Sequence, residues 1–501
     1  MELLSNLQLG FETALTLNNL LYCFFGVFIG TAIGVLPGLG PIATIAMLLP
    51  ATYGLEPITA LIMLGGIYYG AQYGGSTTAI LVNLPGEASS VVTCLDGHEM
   101  AKQGRAGTAL ATAALGSFFA GSVATVVLAA FAPVLTSFAL DFGPADYFSL
   151  MILGLIGAVV LAHGSVLKAV AMIFTGLLIG MVGTDVNTGV ARFTFDVPEL
   201  MDRIDFVTIS MGMFGFAEII KNLEHKMDRD ILTGKMSGFF LSKEDFKRAW
   251  PAVLRGTGLG SILGVLPGGG AVLAAFAAYT VEKKVSKHPE EFGHGAIEGV
   301  AGPEAANNAG AQTSFIPLLT LGIPPNAVMA LMIGAMMIHD IQPGPMVMSS
   351  NPALFWGLIA SMWIGNLLLV ILNLPLIGLW VKLLSIPYRI LFPAILVFCC
   401  IGLFSTNNNT FEIYMAVVFA VLGYFFVKLK CETAPLLLGF VLGPMMEENF
   451  RRALSISRGD FTVFATRPIS LTLLIMSAFL LLLVVAPGFR KTREAAFQEE
   501  D

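Results

Sequence analysis

The chain has 501 residues, 56% of them hydrophobic and only 12% charged, with mean hydropathy +0.80; an ordinary soluble protein carries roughly a quarter charged residues. Its net charge of −7 and pI near 5.5 suggest no nucleic-acid partner, which would call for a clustered basic surface; the charge is position-specific instead. Its long charge-free runs exclude an independent soluble enzyme domain.

The first nineteen residues hold Glu2 and Glu12 but no Lys or Arg, and the apolar run after them ends in Pro-Gly-Leu-Gly-Pro, so no cleaved signal peptide is expected. Runs without Asp, Glu, Lys or Arg cover 13–55, 57–86, 106–140, 147–167 and 169–184, then 256–281, 305–339, 341–381, 390–411, 413–427 and 468–489. At about 20 residues per crossing they predict an all-α polytopic membrane protein of roughly 10–12 transmembrane helices. Five cysteines, with neither a CxxC pair nor His at ligand spacing, point to no zinc site and no disulfide framework.

Between the two sets of runs the pattern breaks. Lys221, Lys226, Arg229, Lys235, Lys243, Lys247, Arg248 and Arg255 crowd one segment, which the positive-inside rule makes cytoplasmic. Arg490, Lys491 and Arg493 put the C-terminus on the same side. The expected division is a first membrane repeat (1–220), a basic connecting segment (221–255), a second repeat (256–489) and a cytoplasmic tail (490–501).

The two repeats share a motif. Gly26-Val-Phe-Ile-Gly30-Thr-Ala-Ile-Gly34-Val-Leu-Pro37-Gly38-Leu-Gly40 returns 230 positions later as Gly256-Thr-Gly-Leu-Gly260-Ser-Ile-Leu-Gly264-Val-Leu-Pro267-Gly268-Gly-Gly270, identical at eight of fifteen positions. Gly70-Ala71-Gln72 echoes Gly310-Ala311-Gln312 at a spacing of 240, and Leu84-Pro85 stands opposite Ile323-Pro324. Glycine every fourth residue lets a second helix approach closely, whereas Leu-Pro-Gly-x-Gly ends a helix. Such a break deep in apolar sequence belongs where backbone lines a polar cavity. The basic flanks of the second copy, Arg255 and Lys283-Lys284, imply that the copies face opposite sides, as in inverted-repeat transporters with broken, re-entrant helices.

Polar residues gather beside these breaks: Ser76, Thr77 and Thr78, then Asn83-Leu-Pro85-Gly86-Glu87-Ala-Ser89-Ser90 in the first half. In the second they are Glu304, Asn307, Asn308, Gln312, Thr313 and Ser314, then Gly322-Ile-Pro324-Pro325-Asn326. Amides and hydroxyls in lipid are costly unless they face one another or a wet cavity. Broken hairpins there would direct half-helix N-termini at an anion and free carbonyls at a cation. On that chemistry Ser89, Ser90 and nearby N–H groups suit a carboxylate, Asn83 and Asn308 suit Na+ or a hydrated proton, and Glu87 and Glu304 are candidate ion-coupling groups. No ligand set for a metal follows. Asp185, Asn187, Arg192 and Asp196 read as an ordinary polar loop, and Glu447-Glu448-Asn449 with Arg451 and Arg452 as a gate or a surface salt-bridge cluster.

These motifs carry a resemblance. Gly34-Val-Leu-Pro-Gly-Leu-Gly40, Tyr73-Gly-Gly-Ser-Thr-Thr-Ala-Ile, Asn83-Leu-Pro-Gly-Glu-Ala-Ser-Ser, Phe142-Gly-Pro, Gly264-Val-Leu-Pro-Gly-Gly-Gly270, Pro303-Glu-Ala-Ala-Asn-Asn and Leu321-Gly-Ile-Pro resemble the large membrane subunit of the tripartite tricarboxylate transporters. One departure is Pro325, where a glycine is expected. The resemblance implies a bacterial inner-membrane permease working with a small four-helix membrane subunit and a periplasmic solute-binding protein that captures the carboxylate, for example citrate. It also implies uptake driven by a Na+ or H+ gradient without a cofactor. No Walker sequence is present to hold a nucleotide. Two other readings are an intramembrane enzyme, for which six scattered histidines and no HExxH give poor support, and a membrane scaffold, which has no use for costly broken backbone.

Overall fold

The computed structural model describes residues 2–36, 40–161, 165–185, 188–224, 241–266, 270–384 and 388–485. Pro37, Gly38, Pro267 and Gly268, the middle of the basic connecting segment and the C-terminal tail lie outside the described residues. Among the described residues the fold is all-α apart from one two-stranded pairing, Gly183–Thr184 with Ala191–Arg192. Five helices are long and apolar enough to cross a membrane: Leu17–Gly34, Ala106–Ala139, Phe206–Glu224, Pro352–Asn373 and Phe411–Lys428. Shorter apolar helices, among them Val166–Gly180 and Ala327–Ile338, accompany them. The chain therefore builds an all-α polytopic membrane protein.

The centre is made by helices too polar or too glycine-rich to face lipid. Pro57–Val82 is buried along almost its whole length, and Glu298–Thr313 along all of it. Glycines decide how each is held. A Cβ on Gly26, Gly30 or Gly34 would strike the backbone carbonyl oxygen of Met63, Ile67 or Ala71. A Cβ on Gly256, Gly260 or Gly264 would strike that of Gly302, Ala306 or Gly310. Each copy of the glycine ladder thus lays one helix, Leu17–Gly34 or Lys243–Val265, against the backbone of a core helix.

These contacts equate residue i of the first core helix with i + 239 of the second: Met63 with Gly302, Ile67 with Ala306, Ala71 with Gly310. The Gly70–Gln72 echo, at a spacing of 240, is therefore displaced by one residue from the structural register, because helix packing rather than the three-residue match fixes the alignment. By contact, Tyr73 and not Gln72 is the counterpart of Gln312. The register continues through the breaks. Asn83 and Gly322 both end their helices in the left-handed region, at φ 56° and 72°. Glu87 and Asn326 both precede the next helix in extended backbone, at φ −149° and −152°.

The core helices lie side by side and run antiparallel. The rings of Tyr69 and Phe315 stand 6.2 Å apart, Ser76 bonds Glu304, and Ile80 and Val300 both flank Gly97. Numbers that rise along one helix fall along its neighbour, as a pair of inverted repeats requires. The halves also interlock, since Gly10 of the first helix, Glu2–Ala14, packs against the Trp356 carbonyl.

Apart from the buried Glu87 and Glu304, the ion pairs gather at the two ends of the bundle. One end joins Arg105 to Asp245 (2.8 Å), Arg248 to Glu298 (2.8 Å), Arg255 to Glu282 and Lys428 to Glu224 (2.6 Å). There Asp96 accepts backbone N–H bonds from Gly293, Gly295 and Ala296 at 2.8–2.9 Å and the Tyr279 hydroxyl at 3.0 Å. The other end holds the Asp146–Arg467 pair and a cluster in which Arg192 meets Glu447 (2.9 Å) and Arg451 meets both Asp185 (3.1 Å) and Glu447 (2.7 Å). Asp185 and Arg192 are thus not an ordinary loop, since both pair with the second half of the Ala434–Ile456 helix; Asn187 lies outside the described residues. Arg452 pairs with Glu448 on the surface.

Candidate functional site

Glu304 sits mid-way along its core helix with 1% of its surface exposed. Its carboxylate accepts the hydroxyls of Ser76 (2.8 Å) and Thr93, with Ser117 at 3.5 Å. Three different segments supply them: the other core helix, the helical stretch after the first break, and the long Ala106–Ala139 helix. Asn308, one turn on, donates to Ser117 (2.7 Å), to the Glu304 carbonyl (3.1 Å) and to Asn307 (2.5 Å). Among the described residues no cation pairs with this carboxylate. A buried carboxyl with no cation beside it is costly to ionise.

The first break docks beside it. Gly86 lies against Gly34 and Gly75, where a side chain would collide with both, and Gly75 also admits Glu87 and Ser90. Glu87, itself buried, accepts the Ser89 hydroxyl; Ser90 donates to the Glu87 carbonyl at 2.8 Å. Thr78 donates to the Val35 carbonyl at 2.7 Å, tying the core helix to the end of the glycine ladder. Asn83 is exposed, and its visible contribution is the left-handed cap.

The second break repeats the plan with neutral groups. Asn326 caps the Ala327–Ile338 helix through Met329 N–H (3.0 Å) and donates to Ser314 (3.1 Å), which bonds the Gly310 and Gly264 carbonyls at 2.7 and 3.2 Å. Gly270 abuts the Asn326 amide, just as Gly40 abuts Glu87. Pro324 is buried in the turn, and Thr313 bonds its own helix at the Ala309 carbonyl. Asn326→Ala is expected to lower thermal stability by about 1 kcal/mol, the worth of a lost N-cap, in a melt of the purified protein.

Between Glu304 and the Ala106–Ala139 helix lies a small cavity of about 10 Å³, lined in part by Tyr73, Ser76, Thr77, Ser117 and Asn373; that is room for roughly one water. Among the described residues the Tyr73 hydroxyl and the Asn373 side-chain oxygen have no partner, nor do the Gln72 amide or the Gln312 oxygen. Of the residues singled out in sequence, Ser76, Thr77, Glu304, Asn307 and Asn308 converge here, whereas the Glu87 and Asn326 groups form two flanking tips. Thr93, Ser117, Tyr73 and Asn373 were missed. Asn373, an amide inside the apolar run 341–381, carried the signal; an isolated Ser117 does not, since lone serines usually bond their own helix.

Residues 20–438 match the family model described as the tripartite tricarboxylate transporter TctA family. The chain is 63% identical, over the full length of both, to an uncharacterized 52.8 kDa protein in the TAR-I ttuC' 3' region of Agrobacterium vitis. It is also 65% identical over 242 residues, 48% of this chain and all of the relative, to an uncharacterized protein in the TAR-II ttuC' 3' region of the same organism. No solved structure matches. A match across the glycine ladders, both core helices and both breaks settles the assignment: the chain belongs to the TctA family, the large membrane subunit of tripartite tricarboxylate transporters, and so to a family of transporters rather than enzymes.

Proposed function

We propose that this chain is the permease of an ion-gradient-driven, binding-protein-dependent system that imports tricarboxylates such as citrate, or related carboxylates, across the bacterial inner membrane by alternating access. It works with a small membrane subunit and a periplasmic solute-binding protein. The observation that carries this reading is the meeting of two antiparallel, glycine-seamed core helices at a buried carboxylate, with one broken hairpin on each side. Irregular backbone and an unpaired charge are costly inside a membrane and mark transport pathways.

The two tips differ in charge. Glu87 already places a carboxylate at the start of the first helical turn, and the Ser89 hydroxyl is engaged by it. Asn326 leaves the start of Ala327–Ile338 neutral, so that the helix end attracts an anion. The second tip is therefore the better seat for a substrate carboxylate, and the Glu87–Glu304 side the better seat for the coupling cation.

The basic end of the bundle is cytoplasmic by the positive-inside rule. Ala106–Ala139 and Phe206–Glu224 each run between the two ends, which supports reading the Asp185–Arg192–Glu447–Arg451 cluster as the periplasmic face that would receive the binding protein. The test is uptake of labelled citrate and other carboxylates into proteoliposomes holding this chain and its two partners. Accumulation under an imposed Na+ or H+ gradient, lost when the binding protein is omitted, is the expected result. No accumulation of any carboxylate by a folded, assembled complex would overturn the substrate class.

A further inference from the structure

The cavity beside Glu304 has the chemistry of a small-cation site. Its polar lining residues are all oxygen-bearing, Glu304, Ser76, Thr77, Ser117, Tyr73 and Asn373, and the rest of the lining is Leu and Ala. The side-chain oxygens of Tyr73 and Asn373 are buried with no partner among the described residues, although buried polar groups are nearly always satisfied. The carboxylate has hydroxyl neighbours and no cationic one among the described residues. About 10 Å³ admits one water-sized occupant and excludes a carboxylate.

We propose that this cavity binds one Na+ ion, with Glu304 as its single charged ligand and Tyr73, Asn373 and the hydroxyls completing an oxygen shell. One positive charge neutralises one buried carboxylate, and hard oxygen donors suit such an ion. The assignment rests on the transport reading above for its role, as the coupling-ion site, but the binding itself does not. Because Glu304, Ser76 and Ser117 belong to three helices from both halves, a bound ion ties those helices together and favours the closed arrangement.

The test is thermal unfolding of the purified full chain at constant ionic strength with NaCl replacing KCl, since a ligand that binds only the folded state raises the melting temperature in a saturable way. Saturable stabilisation by Na+ but not K+ is expected in the wild type and absent in Glu304→Gln. Tyr73→Phe removes only a hydroxyl with no partner among the described residues, so it should fold normally and need about tenfold more Na+ for half the effect, as the loss of one ligand implies. Equal melting temperatures in NaCl and KCl would overturn the site, and so would a Tyr73→Phe curve that superimposes on the wild type. Proton-driven carboxylate uptake without any Na+ effect would sink the site and leave the transport reading standing. Specific Na+ stabilisation in a complex that moves no carboxylate would do the reverse.

Discussion

Glu304→Gln is expected to reduce gradient-driven uptake at least about 100-fold, a loss of roughly 2.7 kcal/mol of driving interaction, while leaving the melting temperature in KCl unchanged or raised. Glutamine keeps the volume; its one side-chain oxygen accepts one of the Ser76 and Thr93 hydroxyls, and its NH2 can donate to the oxygen of the other. What disappears is a buried charge with no cation beside it, and removing such a charge does not destabilise a fold. Loss of function and preserved stability in the same variant separate a coupling residue from a structural one. A stable, fully active Glu304→Gln protein, measured by uptake and thermal melt side by side, would remove Glu304 from the mechanism.

The second large effect falls on the glycine ladder. Gly260→Leu is expected to prevent accumulation of folded protein, and Gly260→Ala to destabilise it by about 1–3 kcal/mol, the range for overpacking a tight contact. A Cβ there would meet backbone atoms of Ala306, including its Cα at 2.8 Å and carbonyl carbon at 2.9 Å. Backbone does not rotate aside as a side chain does, so the Lys243–Val265 helix must move off the core helix. Gly258, two residues earlier, faces open space, and Gly258→Ala should be neutral or slightly stabilising through better helix propensity. The yield and melting temperature of the three variants, read against the wild type, check the ladder directly.

Much of this architecture was legible in the sequence because its causes are local. Glycine every fourth residue, proline and glycine breaks, and polar residues stranded in apolar runs each have a physical reason that does not depend on the rest of the fold. The left-handed caps at Asn83 and Gly322 sit at those breaks. The register between the core helices was less legible. A three-residue echo placed Gln72 opposite Gln312, but packing against the two glycine ladders shifts the equivalence to Tyr73. The Glu304 centre was half legible. Glu304, Asn307 and Asn308 are conspicuous in apolar sequence, whereas Thr93, Ser117 and Asn373 reach the same place from segments whose proximity only tertiary packing sets. Asp185 and Arg192 failed for the same reason, their partners Glu447 and Arg451 being more than 250 residues away in sequence.

Alternating access requires the Glu304 cavity, with room for about one water-sized occupant, to open in turn to the two sides of the membrane, so that a coupling ion taken up from one side leaves on the other. Thr77 lines the cavity and is buried, so the nearly isosteric Thr77→Cys, in a background with the five native cysteines replaced, reports access with a membrane-impermeant thiol reagent. Labelling in sealed right-side-out vesicles and also in inside-out vesicles, slowed in both by substrate together with the coupling ion, is the predicted result. Labelling from one side only, whatever the substrate and ion, would contradict alternating access at this site.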